Sequence, residues 1–408
     1  MTAMQDAVRE GLEVLQQLIR INTTAGAGLE SKAALWLFQR AKNRGWQAEV
    51  VEPEKGFGSL VVTFKGGSDD ALLLLSHLDT AEPGSIGDWS RHPLSGEAAE
   101  GYIWGRGAVD CKGLAAVWWS VMLLLEKAPL ARTVVWAATA GEETRSAWGT
   151  RWLRDHCPEL RRCRWVLNEG GGWEIRLGRT RYTLCQVGEK GYARLLLPAS
   201  SVNACEHFRM NGGLPEPYRA FLRMAGGLAG HVAAHQGSTA AQWLTRWLQR
   251  SSPHTLDSYE MFYHLFQIRP SAEFPGRFEL ICHALPGDPI EHTLSRGLRK
   301  LGLTSHEGCD MLELVPPTLS PTDDPLYEAI RRTHDLPVLP VITPGRSDSY
   351  WFRATGIPVY GWFPRIEAAD LMRMHQPDER ISVAAFTEAV ECLYRLISRF
   401  VTANTEIQ

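Results

Sequence analysis

The 408-residue sequence predicts an α/β protein: a mixed, mainly parallel sheet sandwiched by helices, with an inserted α+β domain. Two observations predict the sheet. Short, wholly apolar runs read as strands covered on both faces, and they alternate with segments of helical period. A third observation predicts the insertion: the alternation fades over 188–308 and then returns. Residues 1–187 and 309–408 are therefore expected to form the two parts of one domain. A chain this long exceeds what a single core usually organises, so two domains are the ordinary expectation.

Each element has its own signal. Val8, Leu12, Leu15, Leu18 and Ile19 recur at helical spacing over 6–20. A second helix over 31–44 is stopped by Gly45 and leads into a strand at 47–51. Leu60-Val-Val-Thr-Phe64 and Ala71-Leu-Leu-Leu-Leu-Ser76 are the next strands, separated by a Gly-Gly-Ser-Asp-Asp turn. The Trp- and Leu-rich stretch 113–126 reads as a buried helix, and 133–139 and 164–167 as buried strands. Within the insertion, strands are expected at 192–197 and 277–283 and helices near 217–229 and 238–250, around a Gly/Pro-rich stretch at 211–217. The α/β pattern resumes with a helix at 324–334, strands at 338–342 and 359–363, and a closing helix at 383–402.

Composition excludes several function classes. With 44% hydrophobic and 22% charged residues, the chain reads as an ordinary soluble globular protein. A formal net charge of −3 offers no electrostatic reason to bind nucleic acid or an anionic membrane. The fifteen Trp are scattered and make no base-stacking platform. No run is long enough to span a bilayer, and the first ten residues hold no apolar signal core. Eight Cys without regular spacing argue for reduced thiols in the cytoplasm rather than a disulfide framework.

The chemistry lies in five loops, all at positions where open α/β sheets collect ligands. In Leu75-Ser-His77-Leu-Asp79, a His just past a buried strand can present a ring nitrogen to a metal while Asp79 accepts from the other. In Gly105-Arg-Gly-Ala-Val-Asp110-Cys-Lys-Gly113, Asp110 either caps the next helix or enters a site as a bridging carboxylate. Glu142-Glu143 ends a strand, and adjacent carboxylates there can divide the work, one holding metal and one moving a proton. Glu169 follows another strand, before three glycines, and His375 precedes the final helix. Singly each is weak. Together two His and three carboxylates suit a pair of zinc ions with mixed N and O ligands.

On these motifs, with Asn168-Glu-Gly-Gly171, Gly345-Arg-Ser-Asp-Ser349 and His375-Gln-Pro-Asp-Glu-Arg380, the chain resembles the zinc amidohydrolase and exopeptidase family. That family includes carboxypeptidase G, aminoacylase, acetylornithine deacetylase and succinyl-diaminopimelate desuccinylase. The resemblance covers nearly all of 1–191 and 312–408 and implies a zinc-exopeptidase-like fold whose insertion is a lid. It implies two Zn²⁺ per chain, with Co²⁺ or Mn²⁺ as substitutes. His77 and Glu169 would hold one ion, Glu143 and His375 the other, and Asp110 would bridge. Asp79 would orient His77, and Glu142 would be the general acid/base for hydrolysis of a small amide such as an N-acyl amino acid or dipeptide.

The insertion departs from the family. Its Gly-His-Ser-type segment is replaced by 195–204, which has no His; His207 is the nearest candidate and reads as a helical surface residue, with His231 and His235 further off. His283 stands where an Arg commonly grips a substrate carboxylate, and the lid Asn expected near Ala272 is absent. Arg346 either supplies a compensating cation or is solvated. These losses bear on substrate rather than chemistry. They leave room for a biosynthetic enzyme or acyl transferase acting on a carboxyl-masked amide, and for a catalytically silent binding protein. A homodimer through the lid and a monomer are both open.

Overall fold

The computed structural model describes residues 2–177, 179–198, 206–236, 263–303 and 308–402. The chain divides into two compact units. One comprises Met1–Glu174, Asp323–Pro337 and Ser347–Gln408; the other comprises Ile175–Thr322 and Val338–Arg346.

The first unit contains six strands of the predicted sheet, whereas the strand expected at 338–342, Val338–Thr343, belongs to the second unit, where it runs parallel to Thr180–Glu189. Gln47–Val51, Ser59–Phe64 and Arg132–Thr139 pair antiparallel, and then Ser68–His77, Cys163–Asn168 and Val359–Gly361 add in parallel. Residues 71–77 are buried without a break, as an apolar strand with both faces covered requires. Side chains alternate across the sheet. Leu73, Leu75, Val135 and Ala137 pack with Leu153, Leu160 and Phe352 from short helices on one face. Trp136 faces the other way and meets Trp119 of the helix Lys112–Leu125, their ring centroids 6.2 Å apart. That helix is buried on nearly every side. Against it lies Ala3–Arg20, where Gly11 comes so close that a Cβ would sit 2.0 Å from Ser120 Oγ.

Strand register positions the site. His77 lies opposite Thr139, and Leu74 opposite Leu167, so three neighbouring parallel strands end at the same edge. The segments carrying His77, Glu142-Glu143 and Glu169 all leave from that edge. The strand expected at 359–363 stops at Gly361, where Trp362 N–H turns to the carbonyl of Asn168 at 2.7 Å.

The second unit has a five-stranded antiparallel sheet in the order Glu206–Asn211, Tyr263–Pro270, Phe278–Ala284, Gly191–Leu196 and Asp310–Val315. Ile290, Leu294 and Leu298 of the helix Ile290–Lys300 close its core. The strands expected at 192–197 and 277–283 are present, and Tyr263–Pro270 and the helix Ile290–Lys300 add to them. The helix expected at 217–229 is two, Glu216–Ala225 and Gly227–Gln236, with Gly226 ending the first. The helix expected at 238–250 lies outside the described residues. His207 is on a strand opposite Gln267, not on a helix. Among the described residues, no helix is long and apolar enough to cross a membrane.

Candidate metal centre

His77 is the last residue of its strand and only 2% exposed. Its Nε2 lies 3.0 Å from Asp110 Oδ1 and 3.6 Å from Glu169 Oε1. Its Nδ1 is 3.0 Å from the carbonyl of Asp79 and 3.4 Å from the Asp79 carboxylate. That carboxylate has a second task. One oxygen accepts the main-chain N–H of Glu142 at 3.1 Å and the other that of Glu143 at 2.9 Å. Asp79 thus fixes the ring of His77 and the turn bearing both glutamates.

Asp110 leaves the helix uncapped. Helix Lys112–Leu125 begins after Cys111, which makes no side-chain cap, and the Asp110 carboxylate points elsewhere. Oδ1 meets His77, and Oδ2 lies 2.9 Å from His375 Nε2, which is also 3.1 Å from Glu143 Oε1. The loop before Asp110 uses Gly107 at φ 88°, where a side chain would be strained and would strike Thr80 and Lys112. His375 is half-exposed and held at φ 59°, an uncommon conformation for a residue with a Cβ and one that concentrates at functional sites.

Buried groups with no assigned role in the sequence hold these loops. Glu379 is fully buried; Oε1 accepts the N–H groups of Val109 and Asp110 at 2.9 and 3.1 Å, and Oε2 meets Arg106 Nη1 at 2.7 Å. Asp348, 2% exposed, accepts the hydroxyl of Thr139 at 3.0 Å and those of Ser146 and Thr150, pinning the loop after Glu143 to its strand. Lys112 Nζ donates to the carbonyls of Leu18 and Ile21 at 2.8 and 2.9 Å. Burial brings that amine down to about 7, against the pull of Asp79, Glu379 and Glu30. The signal that could have found these residues was proximity to the motifs: Lys112 and Glu379 each stand within four residues of Asp110 or His375.

The electrostatics call for positive charge. Burial raises the Glu142 carboxyl well above the usual range, only partly offset by His77. Burial also pushes Glu169 up to about 7, again opposed by His77. Hydrogen bonds to Asp110 and Glu143 raise the His375 ring to about 10. Burial opposes ionisation of Asp110, but His375 and His77 hold it well below the ordinary carboxylate range. Carboxylates therefore outnumber the two imidazoles in a confined space, an excess of negative charge that bound cations would offset. Among the described residues, three groups have their donor atoms within 4.8 Å of one another. One, Glu49 with Cys157 and Glu159, shares no residue with the other two; those that lie here are Asp110 with Glu143 and His375, and His77 with Cys111 and Glu169. These N- and O-rich donors fit zinc.

The three substrate candidates lie in the second unit. Arg346 Nη1 is 3.7 Å from Glu313 Oε1, so it is neither fully solvated nor uncommitted. His283 Nδ1 is 3.0 Å from the carbonyl of Pro344, and its ring meets Tyr192 edge-on at 5.3 Å. His207 is exposed on its strand; His231 and His235 are exposed on the helix Gly227–Gln236.

A family model described as Peptidase family M20/M25/M40 matches residues 73–399. A succinyl-diaminopimelate desuccinylase from Wolinella succinogenes is 30% identical over 36% of this chain and 38% of its own. The chain thus spans about two fifths of the length of these desuccinylases. Aminoacylase-1 from Pongo abelii is 24% identical over 94% of this chain and 93% of its own. Among solved structures, an M20 family metallo-carboxypeptidase from Sulfolobus solfataricus shares the fold, with a TM-score of 0.67 at 16% identity over 95% of this chain and 98% of that one.

Proposed function

We propose that this chain, which belongs to peptidase family M20/M25/M40 and so stands among metallopeptidases and metallo-amidohydrolases, hydrolyses the amide bond of a small N-acyl amino acid, dipeptide or related amide. One observation carries the reading: the two oxygens of Asp110 face different imidazoles, His77 at 3.0 Å and His375 at 2.9 Å. A carboxylate so placed is suited to bridge two cations, with His77 and Glu169 on one side and Glu143 and His375 on the other. Zinc bound there would supply Lewis acidity and lower the pKa of a nearby water.

The protein's own groups do the rest. Glu142 takes the proton from the attacking water and returns it to the leaving nitrogen, a role suited by a carboxyl whose proton affinity burial has raised. Asp79 keeps Glu142 and Glu143 in register with His77 through its two N–H contacts. The insertion, 188–308, is proposed as the part that selects the substrate through His283 and His207, with Arg346, outside the insertion, as a further contact. The unbridged thiols of Cys157, Cys163, Cys282 and Cys392 fit a reducing compartment such as the cytoplasm.

The test is a screen of N-acyl amino acids, dipeptides and carboxyl-blocked amides with zinc-loaded protein. Hydrolysis should vanish with chelator and return with Zn²⁺ or Co²⁺. Freshly isolated protein that binds neither cation would favour a silent binding protein instead.

A further inference from the structure

Cys111 follows Asp110 and is fully buried. Its Sγ, a ring nitrogen of His77 and a carboxylate oxygen of Glu169 lie within 4.8 Å of one another. Among the other buried thiols, Cys163 donates to the Glu159 carbonyl at 3.3 Å, and Cys157 lies beside the two carboxylates of Glu49 and Glu159 with no imidazole in its group. Cys111 instead looks onto two groups already assigned to a cation. It does not cap its helix with its side chain, so the sulfur is not engaged there.

We propose that Cys111 is a sulfur ligand of the cation held by His77 and Glu169. This rests on the reading of the site as a metal centre and makes its two halves chemically unlike. The half built from Asp110, Glu143 and His375 offers only nitrogen and oxygen, whereas the half built from His77, Glu169 and Cys111 adds a soft donor. Thiolate is the ligating form, so the S–H bond breaks on binding, its proton leaves to solvent and the sulfur lone pair goes to the cation. A soft donor favours Zn²⁺, Co²⁺ or Cd²⁺ over Mn²⁺ in that half alone.

The test is spectroscopic and does not depend on turnover. Full-length protein loaded with Co²⁺ should show near-ultraviolet sulfur-to-cobalt charge-transfer absorption that is lost in Cys111→Ala and Cys111→Ser. The preference for Cd²⁺ over Mn²⁺, measured by competition, should fall by about tenfold or more in Cys111→Ser. X-ray absorption on zinc-loaded wild-type protein needs no variant and should show a sulfur shell at about 2.3 Å. Cation binding with a purely nitrogen and oxygen shell, and no charge-transfer band, would overturn the role of Cys111 while leaving the metal centre standing. Failure to bind either cation would overturn both.

Discussion

The two units treat their functional candidates in opposite ways. In the first, His77, Asp110, Glu143, Glu169 and His375 converge, and buried acceptors fix the loops that carry them. In the second, Arg346 and His283 contact Glu313 and Pro344 of their own unit, and His207 stands exposed. Chemistry on unlike amides needs one fixed geometry, which strand register and buried carboxylates supply. Choice of substrate needs only local contacts, which can be rewritten without disturbing that geometry.

The contrast breaks most visibly at Glu142. Glu142→Ala should lower kcat by about 10²- to 10⁴-fold, with bound cation unchanged by metal analysis. Full activity in that variant would remove the acid/base from the account. Glu379→Ala comes next. It leaves Arg106 buried without its counter-charge and two N–H groups without an acceptor, so denaturant unfolding should show a loss of about 3–5 kcal/mol. Glu379→Gln keeps an acceptor oxygen and should lose less stability, yet weaken cation binding by about 10- to 100-fold by calorimetry.

Acid should act on the second unit through His264, which is fully buried between Asp288 and the N–H of Leu285. Burial lowers its folded pKa from 6.5 to about 4, against the pull of Asp288. Between those values the unfolded chain binds the proton and the folded one does not, so this contribution is complete above 6.5 and shrinks as pH falls towards 4. Hydrogen exchange in Tyr263–Pro270 should speed up over that window, and a flat profile would speak against a neutral buried ring. The smallest effects belong to the exposed candidate. His207→Ala should change stability by no more than about 0.5 kcal/mol and leave cation content untouched. Arg346→Ala should alter kcat/KM between substrates, again at constant cation content.

Much of the first unit was legible because its strands have long apolar runs and the candidate ligands follow them directly. His77 and Asp79 stand out as candidates in Leu72-Leu-Leu-Leu-Ser-His-Leu-Asp, though only in combination with the four other loops. The supporting residues could not. Glu379, Asp348, Arg106 and Lys112 are charged, and a charged residue reads as solvated until tertiary packing buries it. Whether Asp110 caps a helix or faces two imidazoles depends likewise on residues far away in sequence. In the second unit, Glu206-His-Phe-Arg-Met-Asn211 alternates weakly and has no strong β-former beyond Phe208, so its strand comes from pairing with Tyr263–Pro270.

The central claim is that Asp110 joins two cation sites in the first unit. Anomalous diffraction at the zinc edge from crystals of zinc-loaded protein tests it most directly. Two peaks about 3.5–4 Å apart should flank the Asp110 carboxylate, one beside His77 and Glu169 and the other beside Glu143 and His375. A single peak, or zinc bound away from Asp110, would contradict it.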